Sequence, residues 1–159
     1  MDTNVIIEAV RTGCWNALCS HFYIETVEKC SEEALTGDRL RPGYVDVDPS
    51  QLRKALKGRH AVLDIERAQL ALSSPDSTML DPGERDLFAH ALARADKWAV
   101  CCADRAALNV ALALGWEDRI VSLEVLVRHA GAKRTFKAHY TEAWLSEVRK
   151  TFFLERLLK

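Results

Sequence analysis

Lys97-Trp98-Ala99-Val100-Cys101-Cys102-Ala103-Asp104 is the stretch on which the reading of this chain turns. Trp98 to Cys102 is a continuous apolar run of strand length. A strand that is apolar on both faces suits a parallel sheet covered by helices on either side. Asp104 stands just after it, ahead of a helical pattern from Ala106 to Leu114 that Gly115 stops. Ligands of parallel α/β sheets sit at the carboxyl ends of strands, so Asp104 is the first candidate site residue.

Working outward, helix and strand patterns alternate. Asp81-Pro82-Gly83-Glu84 opens a helix to about Ala95, with Leu87, Phe88, Ala91 and Leu92 on its buried face. Ile120-Val121 reads as a last short strand, and Leu123 to His129 as a helix ended by Gly131. Thr141 to Lys159 reads as a long amphipathic helix with Trp144, Leu145, Val148 and Phe152 on one side. At the other end, Val5 to Val10 is helical directly after Met1-Asp2-Thr3-Asn4, and a short helix follows at about Trp15 to Ser20. Phe22-Tyr23-Ile24 is β-prone, and Val27, Cys30 and Ala34 then recur at helical spacing.

Thr36 to Pro82 reads as an inserted helical section. Arg41-Pro42-Gly43-Tyr44 is a turn, and Asp48-Pro49-Ser50-Gln51 joins an N-cap, a Pro at the first helical position and a capping-box Gln. Asp64 caps Ile65 to Leu72, and Ser73 to Ser77 is a surface loop. The alternation predicts one α/β domain.

The 159 residues suffice for such a domain, and 48% hydrophobic with 28% charged residues is ordinary for a globular chain. A net charge of -1 lacks the basic excess of many nucleic-acid binders. Any nucleic-acid binding then needs a local patch, or metal ions that offset a local acidic cluster. Arg128, His129, Lys133, Arg134, Lys137 and His139 form such a patch, although a charge run is more often a solvated face. The five cysteines are odd in number, with no C-x-x-C pair, and read as free thiols of a reducing cytosol. No signal peptide is expected, and no apolar stretch nears the roughly 20 residues of a membrane span. His60 and His90 have no partner at ligand spacing.

Asp2, like Asp104, falls where a strand should end, and the two meet in one cleft if their strands are neighbours. Two metal ions roughly 3.5–4 Å apart can serve phosphodiester hydrolysis, and Mg²⁺ or Mn²⁺ takes carboxylate oxygens. Taken singly, Asp2 and Asp104 read as helix N-caps. Glu84 reads as the partner of Asp81 in a capping box, which leaves Asp86 without such a task. Glu33 reads as a solvated partner of Lys29.

Asp2-Thr3-Asn4-Val5-Ile6-Ile7, Gly83-Glu84-Arg85-Asp86-Leu87-Phe88-Ala89-His90-Ala91 and Ala103-Asp104-Arg105-Ala106-Ala107, in this order, resemble the acidic motifs of the PIN domain. That family consists of metal-dependent nucleases, and the resemblance spans Met1 to Gly131. It implies a three-layer α/β fold with a central parallel sheet of about four to five short strands between helices, plus a long C-terminal helix. Residues 1–131 then form the PIN-like domain. Residues 132–159 form a helical extension packed on it or at a dimer interface. The family's first strand supplies several apolar residues ahead of its Asp, where here only Met1 stands.

Position by position, the resemblance implies metal ligands at Asp2, Asp86 and Asp104. The second acid falls on Glu33, with Glu28 and Glu32 open, and Thr3 supports the site. The implied activity is a Mg²⁺- or Mn²⁺-dependent endoribonuclease, cytoplasmic and without a membrane partner, with RNA as substrate. Family habit adds a toxin restrained by an antitoxin protein, and a homodimer. The rival readings are a PIN-like binding or scaffold module that has lost catalysis, and another Mg²⁺-dependent phosphoryl-transfer enzyme, for which no Gly-rich phosphate loop is present.

Overall fold

The computed structural model describes residues 1–37, 40 and 43–158. In chain order it contains α1 (Thr3–Arg11), α2 (Trp15–His21), β1 (Glu25–Val27), α3 (Glu28–Leu35), α4 (Pro49–Ala55), β2 (Gly58–His60), α5 (Asp64–Ser73), α6 (Pro82–Ala93), α7 (Arg105–Ala113), α8 (Leu123–His129) and α9 (Glu142–Leu157), with short 3-10 turns between. Most helices start where the sequence places a capping oxygen. Asp2, Asp48, Asp81, Asp104, Ser122 and Thr141 each accept a backbone N–H of the first turn that follows. For α5 the cap position is Leu63, one residue ahead of Asp64, and the Glu66 carboxylate accepts the Leu63 N–H at 2.6 Å. Gly115 and Gly131 adopt φ +75° and close α7 and α8, a conformation that costs glycine nothing. Of the turn expected at Arg41-Pro42-Gly43-Tyr44, Arg41 and Pro42 lie outside the described residues.

Among the described residues there is no central sheet of four to five strands. Helix accounts for 62% of them and strand for 5%, and the strands are β1 and β2, paired in parallel from Glu25–Gly58 to Val27–His60. β1 begins directly after Phe22-Tyr23-Ile24 rather than on it, and β2 lies inside the section read as a helical insertion. The runs expected as strands at Trp98–Cys102 and Ile120–Val121 meet only at one parallel bridge, Val100 with Ile120. Their pairing consists of the Val100 N–H to the Arg119 carbonyl (2.8 Å) and the Val121 N–H to the Val100 carbonyl (3.0 Å). Met1 and Asp2 make one backbone hydrogen bond to each side, because α1 starts at Thr3 and leaves no length for a ladder. A parallel ladder needs successive residues extended on both partners, and these segments turn into helix or loop too soon.

The extended segments still divide the apolar interior into two layers. Val27, Val100, Cys102 and Ile120 join Cys30, Leu70, Phe88, Leu108 and Val148 on one side. Ile24 and Cys101 join Val5, Ile6, Leu18, Leu52 and Val127 on the other. Successive residues Val100, Cys101 and Cys102 thus alternate between the layers, as extended chain requires. The C-terminal extension belongs to the same body: Leu145 and Val148 of α9 are buried with α7. Arg149 fixes this docking by donating to the carbonyls of Glu117 (3.1 Å) and Ile120 (2.8 Å) and to the Glu142 carboxylate (3.3 Å). His60 and His90 do have partners in space, since their rings stack at 4.3 Å and His60 meets Glu25 at 3.1 Å. Among the described residues no helix is long and apolar enough to cross a membrane.

Phe88 is fully buried against Trp116, with ring centres 5.5 Å apart. Phe88→Ala is expected to cost about 3–5 kcal/mol, read as a lowered midpoint in urea denaturation with little change in slope.

Candidate metal site at three helix N-termini

The caps of α1, α6 and α7 bring three N-termini toward one place. Asp2 accepts the Asn4 N–H (3.2 Å), Asp81 the Glu84 N–H (2.9 Å), and Asp104 the N–H groups of Ala106 (2.7 Å) and Ala107 (3.0 Å). The positive ends of the helix dipoles favour acids here. Asp2 is tied in by its own N–H, which donates to the Cys101 carbonyl at 3.1 Å.

At the floor lie Asp2, Glu84 and Cys102, 1%, 4% and 5% exposed, with one ligand atom from each within 4.8 Å of the others. The Cys102 thiol points to Glu84 Oε1 at 4.0 Å. Asp104 and Glu33 are half-buried, and Asp81 is exposed. Among the described residues no Lys or Arg pairs with Asp2, Glu84, Asp104, Asp81 or Glu33.

The electrostatics follow from that arrangement. Burial, aided by the Asp81 charge, pushes the Asp2 carboxyl up to about 7, against the pull of the terminal ammonium and of the Thr3 and Asn4 N–H groups. Burial, then the charges of Asp2, Asp104 and Asp81, push Glu84 up to about 8, and the Asp81 N–H opposes only weakly. Burial first, then Asp2 and Glu84, hold the Cys102 thiol well above its ordinary range. These groups repel one another in a desolvated place, and the terminal ammonium that acts on Asp2 does not offset the burial.

The remaining sequence candidates fall in different positions. Thr3 donates to Glu33 Oε2 at 2.9 Å and approaches the Cys30 carbonyl at 3.4 Å, so Glu33 stands next to Asp2 along α1. The Glu33 carboxylate lies over Gly83, where a Cβ would collide with Oε2 unless Glu33 moved. Glu32 pairs with Lys29 at 3.1 Å and Glu28 with Arg59 at 3.7 Å. Asp86 is turned away: Arg67 grips both its oxygens, at 2.6 and 2.8 Å, and holds Asp64 at 2.8 Å with its remaining nitrogen. Residues two apart on a helix are separated by about 200°, so Glu84 and Asp86 leave α6 in different directions.

Sequence reasoning passed over Glu84 because the Asp81 cap explained it. That explanation stands in the Glu84 backbone N–H, and the Asp81 N–H acts in turn on the Glu84 carboxylate. The side chain is also buried, because Glu84 lies four residues before Phe88 and seven before Ala91, in line with the buried stripe. Cys102, read only as a small apolar residue, lies at the same floor.

Of the basic patch, Arg128, His129, Lys133, Arg134 and Lys137 are exposed and His139 is half-buried. Its later part runs back along α1: Arg134 donates to the Thr12 carbonyl (2.8 Å), Lys137 acts on the Glu8 carboxylate, and the Tyr140 hydroxyl donates to the Asn4 carbonyl (3.2 Å). A separate cleft of about 470 Å³ is lined by Glu25, His90, Arg94 and Trp98 among others, and by none of Asp2, Glu33, Glu84, Asp86 or Asp104.

No protein-family model matches the chain, and no curated protein and no solved structure matches it.

An acid whose pKa is raised by folding binds protons more tightly in the folded state. Its penalty is absent below the unfolded pKa and grows as pH rises through the folded one. For Asp2 and Glu84 that window runs from the ordinary carboxylate range up to about 7 and about 8. Without metal, Glu84→Gln is expected to gain on the order of 2–3 kcal/mol over wild type as pH rises from about 5 to about 8.5. Urea denaturation of both proteins across that range measures the difference, in which the opposite contribution of His90, lowered by burial, cancels.

Proposed function

We propose that this chain is a divalent-metal-dependent endoribonuclease whose ion-holding carboxylates are Asp2, Glu84 and Asp104, with Glu33 beside them. The observation that carries the reading is the buried Asp2–Glu84 pair, which no Lys or Arg meets among the described residues and on which only the terminal ammonium acts, at Asp2. Burying an unpaired charge costs several kcal/mol, and a bound divalent ion is the simplest source of the missing positive charge. The donors suit such an ion in spacing. Two trans oxygens on Mg²⁺ stand about 4.2 Å apart at bond lengths of ~2.1 Å, and the floor atoms lie within 4.8 Å of one another.

Asp2 and Glu84 would hold Mg²⁺ or Mn²⁺ at the floor, and Asp104 would offer the oxygen that its cap bonds leave open. Thr3 orients Glu33 toward the same side. When bound, the ion supplies the Lewis acidity that phosphodiester hydrolysis draws on. The exposed residues Lys133 and Lys137, with Arg134, flank α1 and lead toward its Asn4 end. They offer backbone phosphates the sequence-independent attraction a ribonuclease needs. The resemblance to PIN nucleases agrees with the chemistry, with Glu84 now in the place given to Asp86. A toxin restrained by an antitoxin is the setting that resemblance implies.

A binding or scaffold module is the second reading, and the Arg67–Asp86 pair favours it, since it takes one of the four implied acids out of the site.

Mn²⁺ titration and cleavage of single-stranded RNA test the proposal. Asp2→Asn and Glu84→Gln should each lower cleavage by at least about 100-fold and weaken Mn²⁺ binding. Asp86→Asn should keep both while losing about 1–2 kcal/mol of stability through Arg67. Unchanged cleavage in Glu84→Gln, or its loss in Asp86→Asn with metal binding gone, would sink the assignment.

A further inference from the structure

We propose that Asp2, Glu84 and Cys102 together bind a thiophilic divalent ion of the Zn²⁺ class, with the Cys102 sulfur as a ligand, and that such an ion displaces Mg²⁺ or Mn²⁺ and arrests the site. The inference rests on the carboxylate-metal reading above and adds to it the nature of the third donor.

A purely oxygen site for a hard ion has no use for sulfur. Here the floor holds a thiol together with two carboxylates, all three side chains more than nine-tenths buried. Glu84 points to a ligand: its carboxylate is buried and faces the cluster, and no Lys or Arg pairs with it among the described residues. The Asp81 N–H acts on it weakly, and the Cys102 sulfur lies 4.0 Å from its Oε1. A tetrahedral Zn²⁺ holds a sulfur at ~2.3 Å and an oxygen at ~2.1 Å, which places the two ligand atoms about 3.6 Å apart. Closing the gap from 4.0 Å takes a few tenths of an ångström, within reach of side-chain rotation alone.

The other cysteines do not share this position. Cys30 donates to the Gly83 carbonyl at 3.3 Å, and Cys101 faces the opposite apolar layer. Binding exchanges the Cys102 S–H bond for a sulfur–metal bond and releases that proton to water. No electron is transferred and no co-reactant is needed. With two carboxylates and a thiolate, the site also presents more negative charge to the ion than the carboxylates alone.

The order of affinity follows from ligand softness. Mg²⁺ gains nothing from sulfur, Mn²⁺ little, and Zn²⁺ or Cd²⁺ a great deal. The same two carboxylates then serve either the hard ion or the soft one, and the soft ion is held by one more donor. Zn²⁺ prefers a small closed coordination shell, which leaves less room for a phosphate and an attacking water.

Cd²⁺ alone is the probe, because a cadmium–thiolate bond gives an ultraviolet charge-transfer band that does not depend on catalysis. Full-length protein, Cys102→Ser, Cys102→Ala and Glu84→Gln are titrated with Cd²⁺ and with Mn²⁺, and folding of each is checked by its melting curve. Wild type should show the band at one equivalent. Both Cys102 variants should lose it, with Cd²⁺ affinity reduced at least about tenfold and Mn²⁺ affinity nearly unchanged. Glu84→Gln should weaken both ions. An equal band and affinity in wild type and the folded Cys102 variants would overturn the proposal, as would no Cd²⁺ binding by wild type. A Cys102-dependent band in a protein that cuts no RNA with Mn²⁺ would uphold the thiolate site and overturn only the nuclease reading.

Discussion

Two residues at the start of the chain hold the interior together. The Met1 ammonium donates to the Glu25 carbonyl at 2.8 Å, and the Met1 carbonyl accepts the Thr26 hydroxyl at 2.7 Å. The Asp2 N–H reaches across to Cys101 at 3.1 Å. β1 and the Val100–Cys102 segment are thus joined through Met1 and Asp2, with one apolar layer on each side. Most of these bonds are buried, where an unmade hydrogen bond is costly. The same constraint fixes Asp2 at the floor of the acidic site, since its backbone is held on one side and its side chain caps α1 on the other. The position of the site and the cohesion of the two layers are therefore one problem with one solution.

Capping places several acids together at one end of three helices. Asp2, Asp81 and Asp104 each cap a helix, which sets their backbones and points three dipoles inward. Capping uses part of a carboxylate's capacity and leaves lone pairs over. Glu84 differs, since it sits on the buried stripe of α6, where burial pushes its carboxyl up. Asp86 shows the opposite solution on the same helix, a carboxylate fully matched by Arg67. One acid is matched by an arginine within the fold, and the other meets no Lys or Arg among the described residues.

The helices were largely legible in the chain. Asp48-Pro49, Asp81-Pro82 and Asp104 announce starts by local bonds to their own first turns, and Gly115 and Gly131 announce ends through positive φ. The strands were not. Trp98–Cys102 has the composition of a buried strand, yet strand pairing is a property of two segments, and its partners offer one bridge and isolated bonds. Gly58-Arg59-His60, with no apolar run to mark it, becomes β2 because β1 lies beside it in register.

The sequence by itself determined the helix starts, the apolar faces and the presence of several acids near helix N-termini, because caps and stripes act over one or two turns of a single segment. The tertiary structure alone decided which acids meet. Asp86 was taken by an arginine 19 positions earlier in the chain, Glu84 was set beside Asp2 and Cys102, and Glu33 was drawn to Thr3. A carboxylate's role depends on the charge it faces, and that charge comes from segments far away in sequence.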